Sequence, residues 1–280
     1  MKALILNSGL GVRMGVLTSE SPKCMTEIFN GETILSRQLK QLLNFGIAEV
    51  VMTTGAFDGK LVSYCQSLDL PISITFVKNP EFRTTNYIYS IYCAREYLDD
   101  DIILMHGDLV FENSVLEELI AAEKSSMVVS SKLPLPEKDF KAVIRHGQIQ
   151  KVGVEFFNEA FTAQPLYKIL KADWKIWLDE IINFCEGGKV NCYAENAFNN
   201  VSTACKIYPL DILDKLCGEI DNAEDLAVVS SQLKKILNRT VYMCFSTDIL
   251  HSGHIALIRK AAKLGKLIIG VLSDEAVTSY

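Results

Sequence analysis

Short apolar runs alternate with amphipathic stretches along the first half of the chain. The runs, typical of buried strands, cover residues 3–6, 50–54, 72–77 and 102–105. Between the first two, apolar residues from Ile34 to Leu43 recur on one face of a helix that ends at Gly46, and a second helix is predicted near residues 60–68. Strands alternating with amphipathic helices predict an α/β fold with a doubly wound, mostly parallel sheet, which binds ligands beyond the carboxyl ends of its strands.

The pattern becomes less regular beyond Val128. Residues 142–145 and 148–154 alternate like a hairpin that turns at His146-Gly147, and a helix is predicted over residues 172–185. The segment 193–198 is too polar for a simple core strand, and a capped helix is predicted from Asn222 to about Leu237. We interpret this region as the half of the domain that binds an acceptor substrate.

A loop with glycines and cations follows the first strand. Gly9 and Gly11 allow backbone N–H groups to approach a polyphosphate, while Arg13 and Lys23, which follows Pro22, supply countercharge. The loop lacks the third glycine of a dinucleotide-binding fingerprint and the Gly-Lys-Ser/Thr ending of a P-loop. It therefore predicts another kind of phosphate cradle, with a tight turn bearing solvated charges as the competing interpretation.

Acidic residues near two predicted strand ends are candidates for a metal site. Asp108 follows the strand 102–105 directly after His106-Gly107, a position suited to holding Mg²⁺ on bound phosphates. Glu219 and Asp221 alternate along an extended segment and therefore point to the same side, so one ion between them and Asp108 is expected. The alternatives are a turn aspartate that caps a helix near residues 113–123, and a surface acidic cluster.

Two further predicted elements approach the same edge of the sheet. Thr85 or Asn86 caps a helix in which Asn86 and Ser90 lie one turn apart on one face, and Gly55 ends the strand 50–54. Tyr89 and Tyr92 on this helix are interpreted as core residues.

Composition narrows the functional classes. The formal charge of −6 over 280 residues argues against a nucleic-acid-binding surface but not against a nucleotide substrate, since a few local cations suffice. The eight cysteines are scattered without metal-type spacing, which indicates reduced thiols. With no signal peptide or membrane-spanning run in the sequence, a cytoplasmic protein that binds no membrane is expected.

Taken together, the motifs resemble the sugar-phosphate-type nucleotidyltransferases. These motifs are the glycine-arginine loop with Pro-Lys, the segment that runs from Asn-Pro to Thr-Asn-Tyr-Ile-Tyr-Ser, the Gly-Asp after a strand and Glu-Ile-Asp-x-x-Glu-Asp-Leu. Over about residues 1–238 they are most similar to the cytidylyltransferases for phosphocholine and 2-aminoethylphosphonate. The resemblance implies a fold like that of the nucleotide-diphospho-sugar transferases (GT-A type).

The resemblance also implies a reaction and roles for residues. An acceptor phosphate or phosphonate oxygen would attack the α-phosphorus of CTP and release pyrophosphate, without a general base. Lys23 would contact the α-phosphate, and Asp108 with Asp221 would hold Mg²⁺, with Glu219 as a further ligand. The candidate nucleotide-binding residues are Asn7, Ser8, Gly9, Gly11, Arg13, Lys23, Gly55, Asn86 and Ser90. Base contacts are less defined, because the family commonly has two alanines where this chain has Asn7-Ser8.

A choline-like or aminoethyl acceptor requires a pocket for a cation. Aromatic faces and carboxylates supply one. The candidates are Tyr87, Tyr167, Trp174, Tyr193 and Glu195.

A second, shorter resemblance covers residues 239–280. The segment around His251-Ser252-Gly253-His254 is similar to the start of an unrelated cytidylyltransferase fold, in which two such histidines stabilise the triphosphate. About forty residues cannot bury a sufficient core, so we expect a truncated, inactive fragment, docked or loosely ordered. The arrangement resembles fusions to a phosphoenolpyruvate mutase, which favours 2-aminoethylphosphonate or another phosphonate as acceptor.

Two other functions remain open from the sequence. A uridylyl- or thymidylyltransferase for a sugar phosphate differs only in its base and acceptor contacts. A non-catalytic nucleotide-sensing module would not need all four of Arg13, Lys23, Asp108 and Asp221, so their presence argues against it.

Overall fold

The computed structural model describes residues 1–9, 11, 14–15, 18–245, 249–262 and 264–272. The chain divides into two compact units, Met1–Val229 and Ser230–Tyr280. The division falls inside the helix predicted from Asn222 to about Leu237.

The strands are β1 (Lys2–Leu6), β2 (Glu27–Phe29), β3 (Glu32–Thr33), β4 (Glu49–Thr54), β5 (Ser73–Lys78), β6 (Ile102–His106), β7 (Leu109–Phe111), β8 (Ser126–Ser130), β9 (Lys141–Arg145), β10 (Gln148–Gly153), β11 (Ala160–Ile169), β12 (Tyr208–Asp211), β13 (Cys217–Glu219), β14 (Thr240–Phe245) and β15 (Lys266–Val271). The α-helices are α1 (Ile34–Asn44), α2 (Asp58–Ser67), α3 (Tyr87–Ala94), α4 (Asn113–Ala121), α5 (Lys171–Glu186), α6 (Ala194–Val201), α7 (Ala223–Leu237) and α8 (Ser252–Ala262).

Four parallel strands form the first half of the large sheet, in the order β6-β1-β4-β5. Ile5 is paired with Met105 on one side and with Met52 on the other, so β1 is central among them. Each of the four apolar runs in the sequence is one of these strands. The predicted α/β fold is therefore confirmed, and the carboxyl ends of β1, β4 and β6 meet at one edge.

The second half of the sheet is antiparallel and is built around β11. This strand pairs antiparallel with β6, β8 and β9, while β12 pairs parallel with β8. The hairpin β9–β10 turns at His146 and Gly147, whose φ angles of 52° and 71° are those of a type I′ turn. The sheet is thus more mixed than the sequence pattern indicates.

The structure settles two local points that the sequence pattern leaves open. The segment 193–198 enters helix α6, because its apolar residues Ala197 and Phe198 are buried on one helical face. Asp108 caps no helix: β7 follows it, pairs antiparallel with β13, and places Glu112 at the N-cap of α4.

The core lies on both faces of the sheet. Successive residues of β1 alternate between two buried clusters, since Leu4 packs with Ile88 of α3 while Ile5 packs with Leu39 of α1. Helices α3, α5 and α6 contribute to the first cluster, and α1, α2 and α4 to the second. No helix of the described residues is long and apolar enough to span a bilayer.

The second unit contains a β-α-β arrangement. Strands β14 and β15 pair in parallel, with Val241 opposite Leu267, and α8 connects them. Many of its apolar side chains are exposed, among them Tyr242 and Val271.

Candidate functional site

The loop after β1 is held against β4. The backbone N–H of Asn7 donates to the Thr53 carbonyl, and the Ser8 hydroxyl donates to Thr53 Oγ1 at 2.9 Å. A Cβ on Gly55 would lie 2.4 Å from the Ser8 carbonyl oxygen, so Gly55 supports the loop through close backbone packing. Arg13, the predicted phosphate-gripping cation, lies outside the described residues.

The turn that carries Asp108 is fixed by backbone packing and by a buried amide. Gly107 N–H donates to the Leu6 carbonyl at 3.0 Å, and a Cβ on Gly107 would lie only 1.7 Å from Asn7 Oδ1. From α1, Gln38 Nε2 donates to the His106 carbonyl at 2.9 Å and to the Leu109 carbonyl at 2.8 Å. These contacts leave the Asp108 carboxylate at the apex of a rigid turn.

Lys23 joins the two predicted metal-binding aspartates. It begins a short 3-10 turn after Pro22, and its Nζ lies 2.6 Å from Asp108 Oδ2 and 2.6 Å from Asp221 Oδ1. Burial lowers the pKa of Lys23, but the two carboxylates outweigh it and raise that pKa overall. Burial likewise raises the pKa of Asp108, and the charge of Lys23 brings it below its usual value. Lys23 and Asp108 are therefore both charged at neutral pH.

A second pair lies beside them. His106 Nδ1 is 2.8 Å from Glu219 Oε1. Burial, together with the charge of Asp108, raises the pKa of Glu219 to about 7. Burial lowers the pKa of His106, but the hydrogen bond to Glu219 and the neighbouring carboxylates raise it overall. This pair therefore holds a proton more tightly than separate side chains would.

These side chains fit a divalent cation. Two carboxylates, Asp108 and Asp221, contact the Lys23 ammonium group, and burial together with the charge of Asp108 raises the pKa of the neighbouring Glu219 to about 7. Asp108 Oδ1 and His106 Nε2 are buried, and the described residues offer neither a hydrogen-bond partner. Oxygen-rich groups with spare lone pairs are suited to Mg²⁺, so Asp108, Asp221 and Glu219 can hold the expected ion.

Three adjoining cavities meet at Asp108. The first has Gly9, Gly11, Lys23 and Asp221 in its wall, and it is suited to a polyphosphate by its cation and open backbone. The second has an occupiable volume of about 320 Å³, and its walls are Leu6, Ser8, Gly9, Asn79, Phe82, Thr85, Asn86, Tyr87, Ser90, His106 and Asp108. The third is lined by Asn86, Tyr87, His106, Asp108, Lys138, Asp139, Phe140, Val154, Tyr193, Glu219 and Asp221.

The wall of the second cavity depends on a residue that sequence reasoning missed. Asn79, which is 1% exposed, donates from Nδ2 to Thr85 Oγ1 and to Ser90 Oγ, both at 3.0 Å. It thereby fixes Asn86 at the N-cap of α3, as predicted for this helix. The Asn-Pro pair at residues 79–80 is the sequence feature that could have indicated the importance of Asn79. His106 was also missed, although it stands next to the Gly-Asp motif, as was Gln38.

The predicted acceptor residues divide into two groups. Tyr87 and Tyr193 line the third cavity, with ring centroids 5.8 Å apart, and Phe140 meets Tyr193 edge-on at 5.0 Å. Glu195 is 1% exposed and accepts hydrogen bonds from the hydroxyls of Tyr87 and Tyr167. Glu195 therefore contributes to the third cavity by holding the side chain of Tyr87, which lines it.

Tyr167 and Trp174 require a correction, because both are core residues. Each is 1% exposed, and their rings pack edge-on against Trp177. Neither lines any of the three cavities that meet at Asp108. A ring enclosed in this way has no face for an acceptor cation.

His251 and His254 lie in the second unit, at the start of α8. Their ring centroids are 4.0 Å apart, and His251 Nδ1 accepts a hydrogen bond from the Gly253 backbone at 3.1 Å.

Parts of the chain are similar in sequence to known proteins. Residues 3–137 match the family described as MobA-like NTP transferase domain. The CMP-5'-(3-aminopropyl)phosphonate synthase of Streptomyces rubellomurinus is 38% identical over 132 residues, which are 47% of this chain and 21% of that protein. The CTP:phosphoglutamine cytidylyltransferase of Campylobacter jejuni is 28% identical over 138 residues, 47% of this chain and 53% of that protein. The chain thus spans at most about half the length of these two relatives.

The fold is shared with solved nucleotidyltransferases. The structure of the inositol-1-phosphate CTP transferase from T. maritima superposes with a TM-score of 0.69 at 21% identity, covering 84% of this chain and 96% of that one. This likeness concerns the fold. Within residues 3–137, just under half of the chain, the sequence is thus similar to nucleotidyltransferases of the MobA-like NTP transferase domain.

Proposed function

We propose that this chain transfers CMP from CTP to a small phosphonate or phosphate ester and releases pyrophosphate. The observation that carries the proposal is the position of Lys23 Nζ, 2.6 Å from both Asp108 and Asp221, in a cavity walled by Gly9 and Gly11. A triphosphate needs open backbone amides, a cation and carboxylates that hold a metal ion, and these features converge there.

The residues support a reaction governed by positioning and charge. A phosphonate or phosphate monoester oxygen is already anionic at neutral pH, so the chain needs no general base. A divalent ion, Mg²⁺ in our proposal, would be held by Asp108 and Asp221 with Glu219, and it would supply neutralisation of the developing phosphate charge. Lys23 would then exchange its carboxylate partners for the α-phosphate oxygens, and Asp108 would remain fixed by Gln38 and Gly107.

The third cavity supports an acceptor that carries an ammonium group. The aromatic residues Tyr87, Phe140 and Tyr193 line the same cavity as the acidic residues Asp139 and Glu219. Such a wall attracts a cation through both ring quadrupoles and charge. Lys138, in the same wall, is suited to the acceptor's phosphonate oxygens.

The names of the relatives favour CTP and a phosphonate. One relative makes CMP-5'-(3-aminopropyl)phosphonate and another is named for CTP and phosphoglutamine. We therefore place 2-aminoethylphosphonate and 3-aminopropylphosphonate first among acceptors. Cooperation with or fusion to a phosphoenolpyruvate mutase module, and a cytoplasmic location, belong to the same proposal.

The test is pyrophosphate release with CTP, UTP, dTTP, ATP and GTP, each paired with five acceptors. These are 2-aminoethylphosphonate, 3-aminopropylphosphonate, phosphocholine, glucose 1-phosphate and ethylphosphonate, the last a control without the amino group. We expect release with CTP and an aminoalkyl phosphonate, and much less with ethylphosphonate. Release only with UTP or dTTP and glucose 1-phosphate would establish a sugar-nucleotide synthase instead. Binding of nucleotide without release for any pair would indicate a sensing module.

A further inference from the structure

A nitrogen ligand stands beside the carboxylates of the proposed nucleotide site. One ligand atom each of His106, Asp108 and Glu219 lies within 4.8 Å of the other two. This group is distinct from the Asp108–Asp221 pair, which shares the Lys23 ammonium. Asp108 belongs to both, and its Oδ1 is buried and unpartnered among the described residues while its Oδ2 binds Lys23.

The contact between His106 and Glu219 has the spacing of two neighbouring ligands on one ion. His106 Nδ1 and Glu219 Oε1 are 2.8 Å apart. Neighbouring ligands on an octahedral ion, each about 2.1 Å from the metal, are separated by roughly 3 Å. His106 is also held in place, since the Tyr87 ring meets it edge-on at 4.8 Å and Gln38 binds its carbonyl. The imidazole is therefore pre-positioned.

We propose that His106, Asp108 and Glu219 form a second divalent-cation site that shares Asp108 and Glu219 with the first, adds a nitrogen ligand, and prefers Mn²⁺ or Co²⁺ to Mg²⁺. Imidazole suits transition metals, whereas carboxylates alone suit Mg²⁺. The second and third cavities both have His106 in their walls, so an ion there would lie where nucleotide and acceptor meet. The inference rests on the proposed function only for placing those two ligands.

The experiment measures Mn²⁺ on the chain without nucleotide. Free Mn²⁺ is followed by EPR during a titration, and pulsed EPR of the bound ion detects nitrogen coordination. We expect a directly coordinated ¹⁴N that becomes a ¹⁵N signal when the histidines are ¹⁵N-labelled. This labelling test uses the unaltered chain, so it does not depend on the folding of any variant. Absence of nitrogen coupling on bound Mn²⁺ would overturn the proposal.

Substitutions of single histidines show which side chain supplies the nitrogen that coordinates Mn²⁺. His106→Gln should abolish the coupling and weaken Mn²⁺ binding about tenfold or more, with Mg²⁺ affinity nearly unchanged. The matched control is His146→Gln, at an exposed hairpin turn, which should keep both. Coupling that survives His106→Gln but is lost with His251→Gln and His254→Gln would place the ion in the second unit and refute the proposal. Pyrophosphate release on the same samples separates the two claims: nitrogen-bound Mn²⁺ without turnover rejects only the proposed function.

Discussion

The parallel and antiparallel halves of the large sheet build the two sides of the site in different ways. On the parallel side, the residues follow directly from strand ends: Gly9 after β1 and Asp108 after β6. On the antiparallel side, Phe140 precedes β9 and Tyr193 precedes α6, far apart in sequence. In our proposal, the backbone turns would bind the phosphates of any nucleotide, whereas the assembled rings would select one acceptor. The family match at residues 3–137 covers the first side and stops short of the second.

The largest expected effect comes from the turn on the parallel side. Asp108→Asn removes a proposed cation ligand and a partner of Lys23, and we expect activity to fall by about a thousandfold or more. Pyrophosphate release measures the loss, and circular dichroism should show an unchanged fold. Asp214→Asn, at an exposed position, is the control with normal activity. Near-normal turnover in Asp108→Asn would contradict the proposal that the Asp108 carboxylate serves the phosphates of the nucleotide.

A ring on the antiparallel side should affect only the acceptor. Tyr193→Leu removes an aromatic face from the third cavity, and a lost cation–π contact predicts an acceptor KM about tenfold higher with an unchanged CTP KM. Tyr193→Phe should restore the KM, because it keeps the ring. Tyr97→Leu, whose side chain is 48% exposed on a turn outside the cavities, is the control. Equal changes in the acceptor KM and the CTP KM would contradict the proposal that the antiparallel half of the sheet serves the acceptor alone.

The hydrogen bonds from Gln38 test whether the turn that carries Asp108 needs a side chain to hold it in place. Gln38→Met keeps the volume but leaves two buried carbonyls without their donor, and each loss costs about 1–3 kcal/mol. We expect a lower melting temperature and a lower kcat, with the acceptor KM unchanged. Gln66→Met on α2, which is exposed, should change none of these. An intact kcat in Gln38→Met would show that the turn holds Asp108 unaided.

The smallest effect is a pH dependence of stability in EDTA. The pKa of Glu219 is raised in the folded chain to about 7, and that of its partner His106 is also raised. The folded state therefore binds protons that the unfolded state has released, so stability falls as pH rises from about 4.5 through 7. Melting curves should show this fall, and Glu219→Gln should flatten it. A rise over that interval in the unaltered chain would contradict the stated electrostatics.

The two halves also differ in how much could be predicted from the sequence. Apolar runs specify buried parallel strands, and a glycine or aspartate after such a run falls at the ligand edge, so Gly9, Lys23 and Asp108 could be located together. The acceptor wall depends on tertiary packing. Nothing in the sequence distinguishes Trp174 from Tyr193 as a candidate acceptor contact. In the structure, Trp174 is packed against Trp177, whereas Tyr193 lines the third cavity. Likewise His106 becomes significant only when β13 brings Glu219 against it.

The central claim is that the cluster of Lys23, Asp108 and Asp221 serves the transfer of CMP to an acceptor that carries its own phosphonate or phosphate. The most direct measurement is ³¹P NMR of the chain with CTP, a divalent cation and 2-aminoethylphosphonate or 3-aminopropylphosphonate. Our account predicts a new pair of coupled phosphorus signals from a CMP–phosphonate anhydride, together with stoichiometric pyrophosphate. Unchanged CTP and phosphonate signals with Mg²⁺ and with Mn²⁺, in a chain shown to be folded, would contradict it.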